Sequence, residues 1–242
     1  MSEFKFPTEE VELPSKGLLY LKDHPLSSGK VEIKYMTAKE EDILTNQAYI
    51  QKGIVLDKLL EAVIINKDIK ISDLHTGDKN ALFVATRILG YGKEYIVNIG
   101  GKEESIDLTE IKPKNINYSA LENSNNSFTY KLENTGTVLG FKLLDGNDTK
   151  KIERELKGLK KISPNSSPEL TTRLKHMITS VDGDDEVKSI RDFVDNYFLA
   201  KDARAFRDHV REIAPDLDMT VSLDGGEEVS VPIGLNFFWP DA

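Results

Sequence analysis

The residue pattern predicts an α+β fold of two pseudo-repeated units, each a helical cluster followed by a β-hairpin, with additional short antiparallel strands. Three observations carry this. Short stretches alternate apolar and charged residues, as strands with one wet face do. Longer stretches repeat apolar residues at helical spacing. Glycine turns, Gly100-Gly101 and Asp224-Gly225-Gly226, then close a hairpin in each half. On this reading the chain divides into an extended arm (1–30), a first unit (31–112), a linker and strand (113–136), and a second unit with an aromatic tail (137–242).

The arm carries Pro7, Pro14 and Pro25, which block helix continuation, so it is expected to be extended and irregular. Its apolar residues must bury on their own domain, the favoured outcome, or on a partner. Val31, Ile33 and Tyr35 alternate with Lys30, Glu32 and Lys34, a strand. Thr37 and Glu40 stand at capping-box spacing, and Gly53 is placed to end the helix they open. Leu56, Leu59, Leu60, Val63 and Ile64 line the next helix, Val55 to Ile65. Asp78 is read as the cap of a third helix that ends near Gly90 and Gly92. A hairpin of Glu94 to Ile99 and Ser105 to Leu108 follows.

Residues 113–126 are rich in Asn and Ser and read as a linker or long loop. Ser127 to Leu132 and Thr137 to Leu144 form a hairpin around Asn134-Thr135-Gly136. Three helical segments follow: Thr149 to Lys161, a second reaching Ile178, and Val187 to Leu199. Asp202-Ala203-Arg204-Ala205-Phe206 parallels Asp78-Lys79-Asn80-Ala81-Leu82, which suggests an ancient tandem duplication. The last hairpin joins Met219 to Leu223 with Val229 to Ile233, and the aromatic tail is expected to dock on its own fold or on a neighbour. Residues that would contact a partner are Phe4, Phe6, Leu18, Leu19, Tyr20, Phe237, Phe238 and Trp239.

Composition narrows the function. The 242 residues suffice for one large domain or two small ones. A net charge of −9 disfavours a general nucleic-acid binder, which needs a clustered basic surface. The absence of cysteine excludes disulfides, thiolate metal sites and cysteine nucleophiles. No apolar run approaches the roughly 20 residues of a membrane span, and the start lacks the order of a signal peptide. His24, His75, His176 and His209 do not stand at metal-ligand spacing. The acidic stretches 145–148 and 182–186 lack the ligand order of a calcium loop. Gly90-Tyr91-Gly92 follows a helix, whereas a dinucleotide loop follows a strand. No catalytic, cofactor or metal site and no small-molecule substrate is expected.

Several words taken together resemble a known family. They are Leu13-Pro14-Ser15-Lys16-Gly17-Leu18-Leu19-Tyr20, His24-Pro25-Leu26-Ser27-Ser28-Gly29, Met36-Thr37-Ala38-Lys39-Glu40-Glu41-Asp42-Ile43-Leu44, and Ala85-Thr86-Arg87-Ile88-Leu89-Gly90-Tyr91-Gly92-Lys93-Glu94-Tyr95. With the ending Phe237-Phe238-Trp239-Pro240, the chain resembles the baseplate hub assembly proteins of T-even-type contractile-tailed phages. The resemblance implies a non-enzymatic part or helper of tail assembly, binding hub or tail proteins in the host cytoplasm or within the baseplate. Some members of that family carry Cys-x-x-Cys pairs at the two hairpin tips. Glycine turns stand there in this chain, which argues against metal. Two alternatives remain open: a chaperone of tail-tube subunits, and a metal- or nucleotide-dependent enzyme suggested only by the acidic loops.

Overall fold

The computed structural model describes residues 7–99, 102–163, 165, 167–222 and 228–238. The hairpin tips at Gly100-Gly101 and Asp224-Gly225-Gly226, with Phe4, Phe6 and Trp239, lie outside them. The α+β class holds, with eight α-helices and short antiparallel sheets among the described residues.

The first unit opens with β1 (Thr8–Glu12), paired antiparallel to β2 (Lys30–Lys34), Thr8 opposite Lys34 and Glu12 opposite Lys30. This corrects the expectation of an irregular arm. Pro7 and Pro14 flank the strand instead of interrupting it, so every residue between them can donate to the ladder. The connection back to β2 is tight. A Cβ on Gly17, at φ +78°, would sit 2.3 Å from the Ser27 carbonyl oxygen.

Helix α1 (Ala38–Leu44) carries the expected capping box, with Glu40 Oε2 accepting the Thr37 N–H at 2.9 Å. The expected single helix to Gly53 breaks, because the Asn46 side chain accepts the Tyr49 N–H and restarts the chain as α2 (Gln47–Gln51). Gly53 takes the predicted left-handed conformation at φ +67°. Helix α3 (Val55–Val63) and helix α4 (Thr76–Tyr91) follow. The expected cap of α4 is corrected: His75 holds that position, and Asp78 lies buried in the first turn. Gly92, at φ +86°, ends α4, and β3 (Glu94–Ile99) pairs antiparallel with β4 (Lys102–Asp107). The linker beyond is anchored: Leu121 is fully buried, and the Tyr118 hydroxyl donates to the Pro14 carbonyl at 3.1 Å.

The second unit is built on a three-stranded antiparallel sheet. Its order is β5 (Phe128–Lys131), β6 (Val138–Phe141), β7 (Ile178–Val181). The expected hairpin of Ser127 to Leu132 with Thr137 to Leu144 thus supplies its first two strands. Helix α5 (Gly146–Ile162) and helix α6 (Glu169–Met177) lie between β6 and β7. The expectation that α6 continues through Ile178 is corrected. The chain turns extended there, at φ −73° and ψ 129°, to pair with Phe141. The β-branched Ile178, Thr179 and Val181 were the missed signal. Helix α7 (Val187–Asp192) runs into a π-turn, Phe193–Tyr197, before α8 (Ala200–Ile213) and the short hairpin of β8 (Thr220–Ser222) and β9 (Glu228–Ser230).

The two units repeat the same devices. Lys34 Nζ reaches Glu40 at 2.8 Å, and Lys142 Nζ reaches Asp148 at 2.7 Å, each acid being the third residue of a capped helix. A nine-residue helix, α3 or α6, then ends in an extended isoleucine that bridges the second strand: Ile64 to Ile33, Ile178 to Phe141. The third residue of α4 and of α8 is a buried aspartate, Asp78 or Asp202, which accepts bonds from the loop joining the unit's first two strands. A hairpin closes each half.

The cores do not follow the unit boundaries. One cluster joins α3, α4 and the first hairpin with Leu217, Val221, Val231, Phe237 and Phe238 from the second half. A second holds the three-stranded sheet, α6, the π-turn and α8, and a small third joins Leu19, Leu121 and Leu143. The crossing is close-packed: a Cβ on Gly77, in the first turn of α4, would meet the Pro215 carbonyl oxygen at 2.1 Å. The N-caps of α4 and α5 also meet, His75 bridging to Asp145.

Candidate docking surface

A serine, a histidine and an aspartate come together beneath the arm. The buried Asp78 carboxylate accepts Ser15 N–H at 2.9 Å, Ser15 Oγ at 2.7 Å and Tyr20 O–H at 2.6 Å. Tyr20 Oη in turn accepts the His75 N–H at 3.2 Å, and the His75 ring meets the Leu144 carbonyl at 3.2 Å. Ser15 therefore gives its proton to the carboxylate and not to the imidazole, so a nucleophile–imidazole–carboxylate relay is not wired here. Burial pushes the Asp78 carboxyl up and His75 down from their ordinary values. The cluster is a clasp that fastens the arm and the second unit to α4.

A cleft of about 360 Å³ lies between α3, α4 and α5, with Lys52, Lys79 and Lys150 facing Asp57 and Glu153. Lys79 is already paired to Asp57. Among the described residues there is no cluster of metal-ligating side chains, and no helix is long and apolar enough to cross a membrane.

Of the residues expected to touch a partner, those described lie largely within the fold. Leu19 is buried, Leu18 is half-buried, and Tyr20 is held by Asp78. Phe237 and Phe238 are fully buried, with ring centres 5.3 Å from Tyr95 and 6.2 Å from Phe83 respectively. The correction has a simple cause: β3 and α4 present aromatic partners that the tail can reach within its own fold.

Four of the five most exposed large apolar side chains among the described residues lie on the second unit, the fifth being Leu21 in the arm. Ile162 is 84% exposed, Val187 67%, Tyr197 63% and Leu199 50%. The π-turn explains Tyr197. In an unbroken helix it would stand seven residues beyond the buried Ile190, on the same inward face. The i→i+5 bond from Phe198 N–H to the Phe193 carbonyl inserts a residue, so Phe198 turns inward and Tyr197 outward. An open groove of about 500 Å³ runs beside α7 and the π-turn, lined by Glu186, Lys188, Ser189, Arg191, Asp192 and Asp195. Asp182 and Asp184 next to it are tied to backbone N–H groups of Val138 and Glu186.

Glu155 sets the base of this face. Arg191 grips its carboxylate with two bonds, 2.6 and 2.8 Å, and His176 Nε2 lies at 2.9 Å, so one acid on α5 holds α6 and α7. These partners hold Glu155 at about 2, below its ordinary 4.5. A lowered carboxyl contributes stability above its unfolded value that is lost as pH falls through the folded one. Urea-unfolding stability should therefore drop between pH 4.5 and about 2. Glu155→Gln should flatten that segment; a profile as steep as that of the wild type would assign the acid loss to other groups.

No family model, curated protein or solved structure matches this chain. Its geometry defines a class: an α+β protein whose second unit leaves Val187, Tyr197 and Leu199 exposed around α7 and the π-turn, close in sequence to the lining of a groove rich in acids.

Proposed function

We propose that the protein is a non-enzymatic assembly factor or structural subunit of a phage tail baseplate hub, which binds other hub or tail proteins. The observation that carries the docking part is the exposed set Val187, Tyr197 and Leu199 beside the acidic groove. Contiguous exposed apolar side chains rimmed by polar ones mark interaction surfaces. The particular partners come from the resemblance, whose words Met36 to Leu44 and Ala85 to Tyr95 form α1 and the end of α4 with the start of β3. The buried clasp around Asp78 fits a structural role for the Pro14-Ser15-Lys16-Gly17 word.

Affinity capture from phage-infected cells, with partners identified by mass spectrometry, tests this reading. Wild-type protein should retain hub or tail proteins, and the triple variant Val187→Asp, Tyr197→Ala, Leu199→Asp should lose them at least tenfold. Capture without any tail component, or capture indifferent to the variant, would sink it. Detection in purified particles separates a subunit from a transient chaperone.

A further inference from the structure

We infer that the exposed C-terminal end of α5 in one copy docks into the acidic groove beside α7 of a second copy. The inference rests on the docking reading of this face, but not on the phage-tail reading. Both halves of the contact are present in the one chain.

The donor is the last turn and a half of α5. Nothing in α5 beyond Ile152 is fully buried and nothing beyond Leu159 is even half-buried; Lys157, Lys160 and Lys161 are exposed around Ile162, the most exposed large apolar side chain among the described residues. None of these three lysines makes an ion pair among the described residues. Of the acids earlier in α5, Asp148 is occupied by Lys142 and Glu155 by Arg191, which leaves Glu153 against the three lysines. The helix end is thus a basic tip with an apolar knob on a protein whose net charge is −9. The partial negative charge of the helix C-terminus, about half a unit, is smaller than that of three lysines.

The acceptor has the complementary pattern. Glu186 and Asp192 line the groove and Asp185 adjoins it; Asp195 is paired to Lys175 at 2.6 Å, Arg191 is held by Glu155, and Lys188 is the remaining cation of the lining, so acids outnumber the cations left to oppose them. Val187 and Tyr197 stand exposed beside it, positioned to receive Ile162. Tip and groove are separate sets of residues, so the contact closes as a reciprocal dimer where one two-fold axis satisfies both, and otherwise repeats head to tail as a ring or a chain.

Exposed ion pairs contribute little each, so the association is weak and salt-sensitive. Two whole copies also repel. At about 0.1 M salt the screening length is near 10 Å, which damps that repulsion but leaves close pairs intact; at about 1 M it is near 3 Å. Sedimentation velocity of the purified full chain should show an average mass that rises with concentration at the lower salt and returns to monomer at the higher. Lys157→Glu/Lys160→Glu/Lys161→Glu should abolish the rise. So should Asp185→Lys/Glu186→Lys/Asp192→Lys, and mixing the two variants should restore it. All six side chains are exposed, and circular dichroism verifies that both variants fold. A monomer at every salt and concentration overturns the inference, as does association unchanged by both variants. Tail-protein capture in cells is a separate measurement, so either reading can fail without the other.

Discussion

Phe237→Ala is expected to lower the unfolding free energy by about 3–5 kcal/mol, the range for truncating a buried aromatic. The side chain is fully buried, 5.3 Å from the Tyr95 ring and 5.4 Å from Phe238. Its backbone oxygen accepts Arg87 Nε at 3.0 Å, and the same buried guanidinium donates to the carbonyls of Gly92, at 2.9 Å, and Glu94, at 3.3 Å. The tail thus completes a site that also ends α4 and starts β3. A cavity at Phe237 cannot collapse easily, because these neighbours are held by backbone bonds. Tyr197→Ala, at an exposed aromatic, should change stability by no more than about 0.5 kcal/mol. Urea denaturation of both variants checks the contrast. Equal effects would mean that the tail is not core, and would return Phe237 to the list of partner contacts.

Asp78→Ala should cost about 2–4 kcal/mol, and more than Asp202→Ala, although the two aspartates hold equivalent places in the two units. Asp78 receives three donors from Ser15 and Tyr20, and deleting it leaves them buried without an acceptor. Asp202 receives Asn134 alone, and its Oδ2 has no partner. The first unit's long loop carries Tyr20 to its aspartate; the second unit's short turn at Asn134 carries no counterpart. The pH dependence has a definite sign. A carboxyl whose folded value is raised above the unfolded one contributes stability at low pH that is lost as pH rises through the folded value. The gap between wild type and Asp78→Ala should therefore widen from pH 7 toward pH 4. His75 acts in the same direction in this comparison. It is pushed down by burial, and without the Asp78 carboxylate it would be pushed down further, so the variant loses more in acid. A gap that narrows on acidification would refute the assignment.

Much of the local structure was legible because its causes are local. Thr37 with Glu40, Gly53 at φ +67° and Gly92 at φ +86° act within a few residues of themselves. The apolar spacing of α3 needed only its own nine residues. The parallel between Asp78 and Asp202 was visible as a pair of words, and the structure gives it a shared position and a shared task. The strand β7 was hidden because Ile178 to Val181 also fits the end of a helix, and only pairing with β6 decides between them. The docking face was hidden for a related reason. Tyr197 shares its sequence spacing with buried residues, and the π-turn that turns it outward answers to packing around Phe193 and Phe198.

By itself the sequence determined the α+β class, most helix starts and stops, the hairpins and the doubling of the pattern, but not β1, β7 or the break between α1 and α2. The tertiary structure alone decided which apolar residues are core and which are surface. It sent the aromatic tail and second hairpin onto the first unit and left the side chains around α7 uncovered. Caps and turns depend on neighbours in the chain, whereas burial depends on what arrives from residues far away, and no local pattern encodes that arrival.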